Sequence, residues 1–104
     1  MDFSLTREQA LVKKMMQAFT ENEVKPIAAE IDRTHQYPAE NVAKLFKLGV
    51  MGMTVPKEYG GMGADQVAAA ICTEELAKAC ASTSDIVAGH TLCCVPILEH
   101  GNEE

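Results

Sequence analysis

The chain has 104 residues, 47% of them hydrophobic and 23% charged, a balance that supports a folded core and excludes the composition of disordered chains. Its formal net charge is -6 and its Lys and Arg residues are scattered, so no basic face exists to attract a phosphate backbone, and nucleic acid is excluded as a partner. The amino terminus, Met1-Asp2-Phe3-Ser4-Leu5-Thr6, carries neither a basic nor an apolar signal region, which points to the cytoplasm.

Thr6-Arg7-Glu8-Gln9 fits a capping box, in which the Thr hydroxyl and the Gln side chain satisfy amides that a new helix leaves free. A first helix should start there, burying Leu11, Val12, Met15, Met16 and Phe19, with Lys13, Lys14 and Gln17 facing water. Pro26 should end or kink it near Val24, and Ile27, Ala28 and Ile31 let it resume briefly before Thr34. Pro38 suits the first position of a second helix of about three turns, whose buried face is Val42, Leu45, Phe46 and Leu48 and which Gly49 stops. From Val50 to Asp65 the composition turns to Gly, Met and Pro, which predicts an ordered loop rather than a linker.

Asp65 can cap a third helix running through Ala81, with Val67, Ile71, Leu76 and the alanines buried and Glu74 placed to pair with Lys78. Glu74 and Glu75, being adjacent, point about 100° apart and cannot form a facing acid-base pair; both are expected to be solvated or capping. Ser82 or Ser84 should start a fourth helix, to about His100, with almost no polar face between Asp85 and Glu99, so it needs other elements to enclose it. Its uncharged stretch, Ile86 to Leu98, is about 13 residues, short of the ~20 that span a bilayer, so no membrane span is expected. Gly101 terminates a helix well, while Asn102-Glu103-Glu104 is a helix start, so a further helix is expected beyond the last residue.

Four cysteines, Cys72, Cys80, Cys93 and Cys94, lack the spacing and the secretory signal of a disulfide framework and are expected to be small packing residues. His90, Cys93 and Cys94 share one helix at i, i+3 and i+4, yet a structural zinc site needs about four ligands, and no further ligand pair is evident; no metal is expected. The Gly60-Gly61-Met62-Gly63 cluster matches neither the dinucleotide fingerprint nor the P-loop, and its glycines are expected to serve a tight turn. Gly89 and Pro96 are costly inside the fourth helix, about 1 and 3 kcal/mol. Close helix packing and the close approach of a ligand each account for both residues.

Taken in order, Leu5-Thr6-Arg7-Glu8-Gln9, Lys25-Pro26, Tyr37-Pro38, Leu45-Phe46-Lys47-Leu48-Gly49, Val55-Pro56-Lys57-Glu58-Tyr59-Gly60-Gly61-Met62-Gly63, Glu74-Glu75-Leu76-Ala77 and Gly101-Asn102-Glu103-Glu104 resemble the acyl-CoA dehydrogenases, nearest to the short-chain, butyryl-CoA-like bacterial branch. The resemblance covers the whole chain. It implies an all-α fold, residues 1–104 forming an amino-terminal helical domain of about four helices, cut before its last helices. It implies a parent that holds FAD with a further β domain and a helical bundle, oxidises an acyl-CoA substrate between its α and β carbons, and passes electrons to an electron-transferring flavoprotein. A homotetramer is implied for that parent.

The same resemblance makes Ser84, Val87, Ala88, Gly89 and Leu92 part of the wall around the acyl chain. It assigns no catalytic base and no cofactor-binding residue to this chain. Many short-chain members carry a His where Gly89 stands. The alternatives to an enzyme part are a freestanding helical module that offers the fourth helix to a partner protein, and a structural domain that buttresses an oligomer.

Overall fold

The computed structural model describes residues 1–104 and is entirely helical apart from turns and loops. Helix α1, Arg7–Phe19, opens on the predicted capping box: Thr6 Oγ1 accepts from the Gln9 amide at 3.2 Å, and Gln9 Oε1 accepts from the Thr6 amide at 3.0 Å. Pro26 does not end the helix. It has no amide to give the carbonyl of Asn22, and the backbone absorbs the loss as a π turn, Thr20–Val24, in which the Lys25 amide reaches back to Thr20. Helix α2, Lys25–Thr34, continues from there, and His35 ends it in the left-handed conformation (φ 57°), its amide bonded to the Ile31 carbonyl at 2.9 Å.

Helix α3, Ala39–Lys47, starts one residue later than predicted. Pro38 stands just outside, and its carbonyl accepts from the Val42 amide at 3.0 Å. Gly49, at φ 82°, turns the chain into an ordered loop with 3-10 turns at Val50–Gly52 and Lys57–Tyr59. Three backbone bonds fold this loop on itself: Met62 to Gly52 (2.9 Å), Gly63 to Val55 (2.9 Å) and Ala64 to Met53 (2.8 Å). The doubling brings Gly61 so close to the Val55 carbonyl that no Cβ would fit.

Helix α4, Gln66–Ala77, is capped by Asp65, whose Oδ1 accepts from the Ala68 amide at 2.8 Å. It stops four residues before the predicted end at Ala81, because Cys80 adopts an extended conformation (φ -149°, ψ 103°) and opens helix α5, Ala81–His100. Neither Ser82 nor Ser84 caps it. Ser84 instead turns inward and donates to the Thr73 carbonyl of α4 at 2.9 Å. At 20 residues α5 exceeds the apolar run read from sequence, and by length and composition alone it reaches the size of a bilayer-spanning helix. A core helix passes the same test, and the buried Thr83, Ser84 and Val87 tie the first half of α5 into the fold.

Helices α1 and α4 lie side by side and run the same way. Gln9 meets Asp65 at one end, and Thr20 and Lys25 share a groove with Glu75 and Lys78 at the other. Met16, Val24, Leu45, Val50, Cys72 and Leu76 fill the space between the elements, each at most 1% exposed. Burying a Met, Leu or Val of this kind contributes roughly 1.5–3 kcal/mol. The predicted faces are too wide: Leu11, Phe46, Leu48 and Val67 are exposed, because the chain has nothing to lay over their side of each helix. Cys93 is likewise exposed, whereas Cys72 and Cys80 are buried and all four thiols are free.

Glu75 corrects a further expectation. It is buried, not solvated, and Lys78 bonds it at 2.9 Å in place of the predicted Glu74. That hydrogen bond raises the pKa of Lys78 above its ordinary value.

Candidate functional site

The five predicted wall residues lie on α5, and the helix divides them. Ser84 and Val87 are 5% exposed and face the core, Ser84 through its bond to Thr73. Ala88 and Gly89 are half-buried, and Leu92 stands 74% exposed. Ala88 and Leu92 are one turn apart and therefore share a face, with Gly89 a step around the helix. A Cβ built on Gly89 would meet nothing within 4 Å, so no neighbour inside this chain requires a glycine there. Helix packing within the chain is thus ruled out as the reason for Gly89.

Asp85 completes the outward stripe. It precedes Ala88 by three residues and Leu92 by seven, the spacing of one helical face, and this spacing could have identified it from sequence. Beside the stripe, α4 and α5 leave a shallow groove of about 460 Å³ whose walls include Thr73, Ala77, Ala81, Ser84, Asp85 and Ala88. These small side chains set its width. Farther along, Pro96 leaves the Leu92 carbonyl without its helical donor, and Ile97 (68% exposed) extends the apolar surface.

The glycine loop is not an anion cradle. The amides of Gly60, Gly61, Met62 and Gly63 all donate to carbonyls of the same loop or the turn before it, which leaves none to point at a phosphate. The glycine loop therefore offers no free amides to a pyrophosphate. Cys72 is no nucleophile either, since burial pushes its thiol up to about 11. At the carboxy-terminal end, Asn102 Oδ1 accepts from the Glu104 amide at 3.0 Å, the bond a helix cap makes, although residues 101–104 are not helical. Tyr59 donates to Glu103 at 3.1 Å, fastening this end to the glycine loop and raising the Tyr59 pKa.

Residues 6–104 match the family described as acyl-CoA dehydrogenase, N-terminal domain. The short-chain specific acyl-CoA dehydrogenase of Clostridium acetobutylicum is 53% identical over all of this chain and 28% of its own length. The acryloyl-CoA reductase (NADH) of Anaerotignum propionicum is 41% identical over all of this chain and 26% of its own. Among solved structures, butyryl-CoA dehydrogenase from Megasphaera elsdenii superposes with a TM-score of 0.91 at 33% identity, over 99% of this chain and 28% of that one. The chain thus spans about a quarter of the length of the relatives it matches.

Proposed function

We propose, from the premise that this chain belongs to the acyl-CoA dehydrogenase family, that it is the amino-terminal helical domain of an FAD-dependent enzyme of the short-chain type. Its part in the reaction is to supply one wall of the acyl pocket. Ala88, Gly89 and Leu92 face the chain of the thioester, while Ser84 and Val87 anchor that wall to α4 and the core. The flavin and the base that removes the α proton come from portions outside these 104 residues. An electron-transferring flavoprotein as acceptor, a tetrameric assembly and a cytoplasmic location complete the proposal.

The observation that carries it is the outward stripe of α5. Beyond Asp85 that stripe is apolar, with a gap at Gly89 and a large exposed Leu92 that is costly in water, and apolar clefts between elements are where ligands of this kind bind. The spent loop amides support the second half of the proposal, that the chain holds no flavin alone. The test is to purify the chain and add FAD and butyryl-CoA. The expected result is loss of flavin on gel filtration and no bleaching by the thioester; tight flavin retention with bleaching overturns it.

A further inference from the structure

Between Ala81 and Leu98, α5 carries one carboxylate, Asp85, and no Lys or Arg. Asp85 is exposed on the stripe that holds Ala88 and Leu92, about 10 Å from Leu92 along the helix axis. It is also the single charged residue lining the groove of about 460 Å³ between α4 and α5. The head of that groove is pinned, because the hydroxyl of Ser84, beside Asp85 in the chain, donates to the Thr73 carbonyl of α4 at 2.9 Å.

Neither ordinary duty of an acid on a helix accounts for Asp85. As the fifth residue of α5 it stands past the first turn, where a carboxylate would meet free amides, and that turn holds no acid. No cation is at hand for an ion pair either: α5 supplies none, and Lys78 at the end of α4 is bonded to Glu75 at 2.9 Å. In water the lone carboxylate is at ease. Once the remainder of an enzyme encloses this face, it is a desolvated charge without a partner, which is strongly unfavourable unless a ligand brings the opposite charge.

The chemistry of the acyl group fixes which end of it meets Asp85. Negative charge gathers on the α carbon as its proton leaves, and a carboxylate beside that carbon would oppose the step. Asp85 is compatible with the reaction only at the end of the chain far from the thioester. We propose that Asp85 is a specificity residue, which selects a short acyl group ending in a cationic nitrogen over one ending in hydrocarbon. This assignment rests on the reading of α5 as the acyl wall. Ala88 and Gly89 then flank the aliphatic middle of the chain, and the small Ala77 and Ala81 leave room for its charged head.

The test uses a chimera in which these 104 residues open the Clostridium acetobutylicum relative, and it compares two thioesters of one shape. One is butyryl-CoA with a trimethylammonium group on its last carbon; the other is its neutral twin with a tert-butyl group there. The quaternary nitrogen cannot cyclise onto the thioester, and the two differ only in charge. The ratio of kcat/KM should favour the cation by at least about tenfold, the low end of what a close charge pair supplies. Asp85→Asn should erase the preference and Asp85→Glu should keep it, with flavin absorbance reporting the folding of each variant. An aspartate placed at the matching position of the intact relative should create the preference without any chimera. A ratio near one, or a cation preference that Asp85→Asn leaves unmoved, overturns the role of Asp85. Leu92→Ala separates this from the acyl-wall reading: if it shifts the chain-length profile of neutral thioesters while Asp85→Asn moves nothing, the wall stands and the charge selection falls, and if neither moves anything, both fall.

Discussion

The side-chain amide of Gln9 donates to the carboxylate of Asp65 at 2.9 Å, and each residue belongs to the cap of a different helix. Gln9 closes the capping box of α1, and Asp65 holds the first turn of α4. One contact between residues 56 positions apart thus sets the two longest-packed helices side by side at their starts. Helix α5, and with it the candidate pocket wall, is in turn tied to α4 by the bond from Ser84 to the Thr73 carbonyl.

The Ala68 amide and the Gln9 side chain hold the Asp65 carboxyl below its ordinary 3.8. A depressed value in the folded state adds stability that is present above the unfolded value and lost as pH falls through the folded one. The thermal midpoint of the chain, followed by circular dichroism, should therefore drop as pH is lowered below about 4. Asp65→Ala should lower the midpoint at neutral pH and show a shallower drop in acid. An equally steep acid drop in Asp65→Ala would assign the effect to other carboxylates.

Asn41 and Thr83 are fully buried, and Asn41 Nδ2 donates to Thr83 Oγ1 at 3.2 Å, while Asn41 Oδ1 has no partner. Thr83→Val strands the Asn41 amide and should cost about 1–3 kcal/mol in urea denaturation. Adding Asn41→Leu removes the stranded group together with the orphan carbonyl, so the double variant should recover part of that loss. Additive costs in the cycle would show that the two side chains do not interact.

In the doubled loop, Gly60 (φ 84°) has open space where a Cβ would be, while Gly61 has the Val55 carbonyl there. Gly60→Ala should cost about 1–2 kcal/mol, the strain of a left-handed residue. Gly61→Ala should cost more and should reduce or abolish the protection of the Met62 and Gly63 amides in hydrogen exchange, because the loop must open. Equal costs would mean that the loop yields to the added methyl.

Much of this was legible in the sequence where the signal is local. The caps at Thr6 and Asp65 follow from bonds a residue makes within three positions of itself. What sequence periodicity does not carry is how much of an apolar face the rest of the chain covers. Phe46 follows the fully buried Leu45 by one residue, about 100° around α3, and that step takes it to 74% exposure. Glu75 was misread for the converse reason, since its burial depends on α1 lying across α4 and on Lys78 reaching it. At the site, the pocket-wall residues rest on family resemblance rather than on pattern, and which of them turn inward on α5 is set only by the fold.

The exposed stripe carries a solubility consequence. Leu92 and Ile97 face water on a helix that is apolar on most sides, so the isolated chain should self-associate with rising concentration in sedimentation velocity. Leu92→Lys with Ile97→Lys should shift it to monomer. A wild-type chain that stays monomeric, with a sharp and concentration-independent melt, would count against this surface being made for burial.

Gly89 separates stability from function. With nothing within 4 Å of its absent Cβ, Gly89→Ala should stabilise the isolated chain by up to about 1 kcal/mol through helix propensity. The most direct measurement uses a chimera in which these 104 residues replace the matching opening segment of the Clostridium acetobutylicum relative, assayed for dehydrogenation of acyl-CoA thioesters of increasing length. Leu92→Ala should extend the range of chains accepted, and Gly89→Leu should shorten it, each with little change in the stability of the chimera. Chain-length profiles unchanged by both substitutions, in an active and folded chimera, would contradict the claim that this face of α5 is the wall of the acyl pocket.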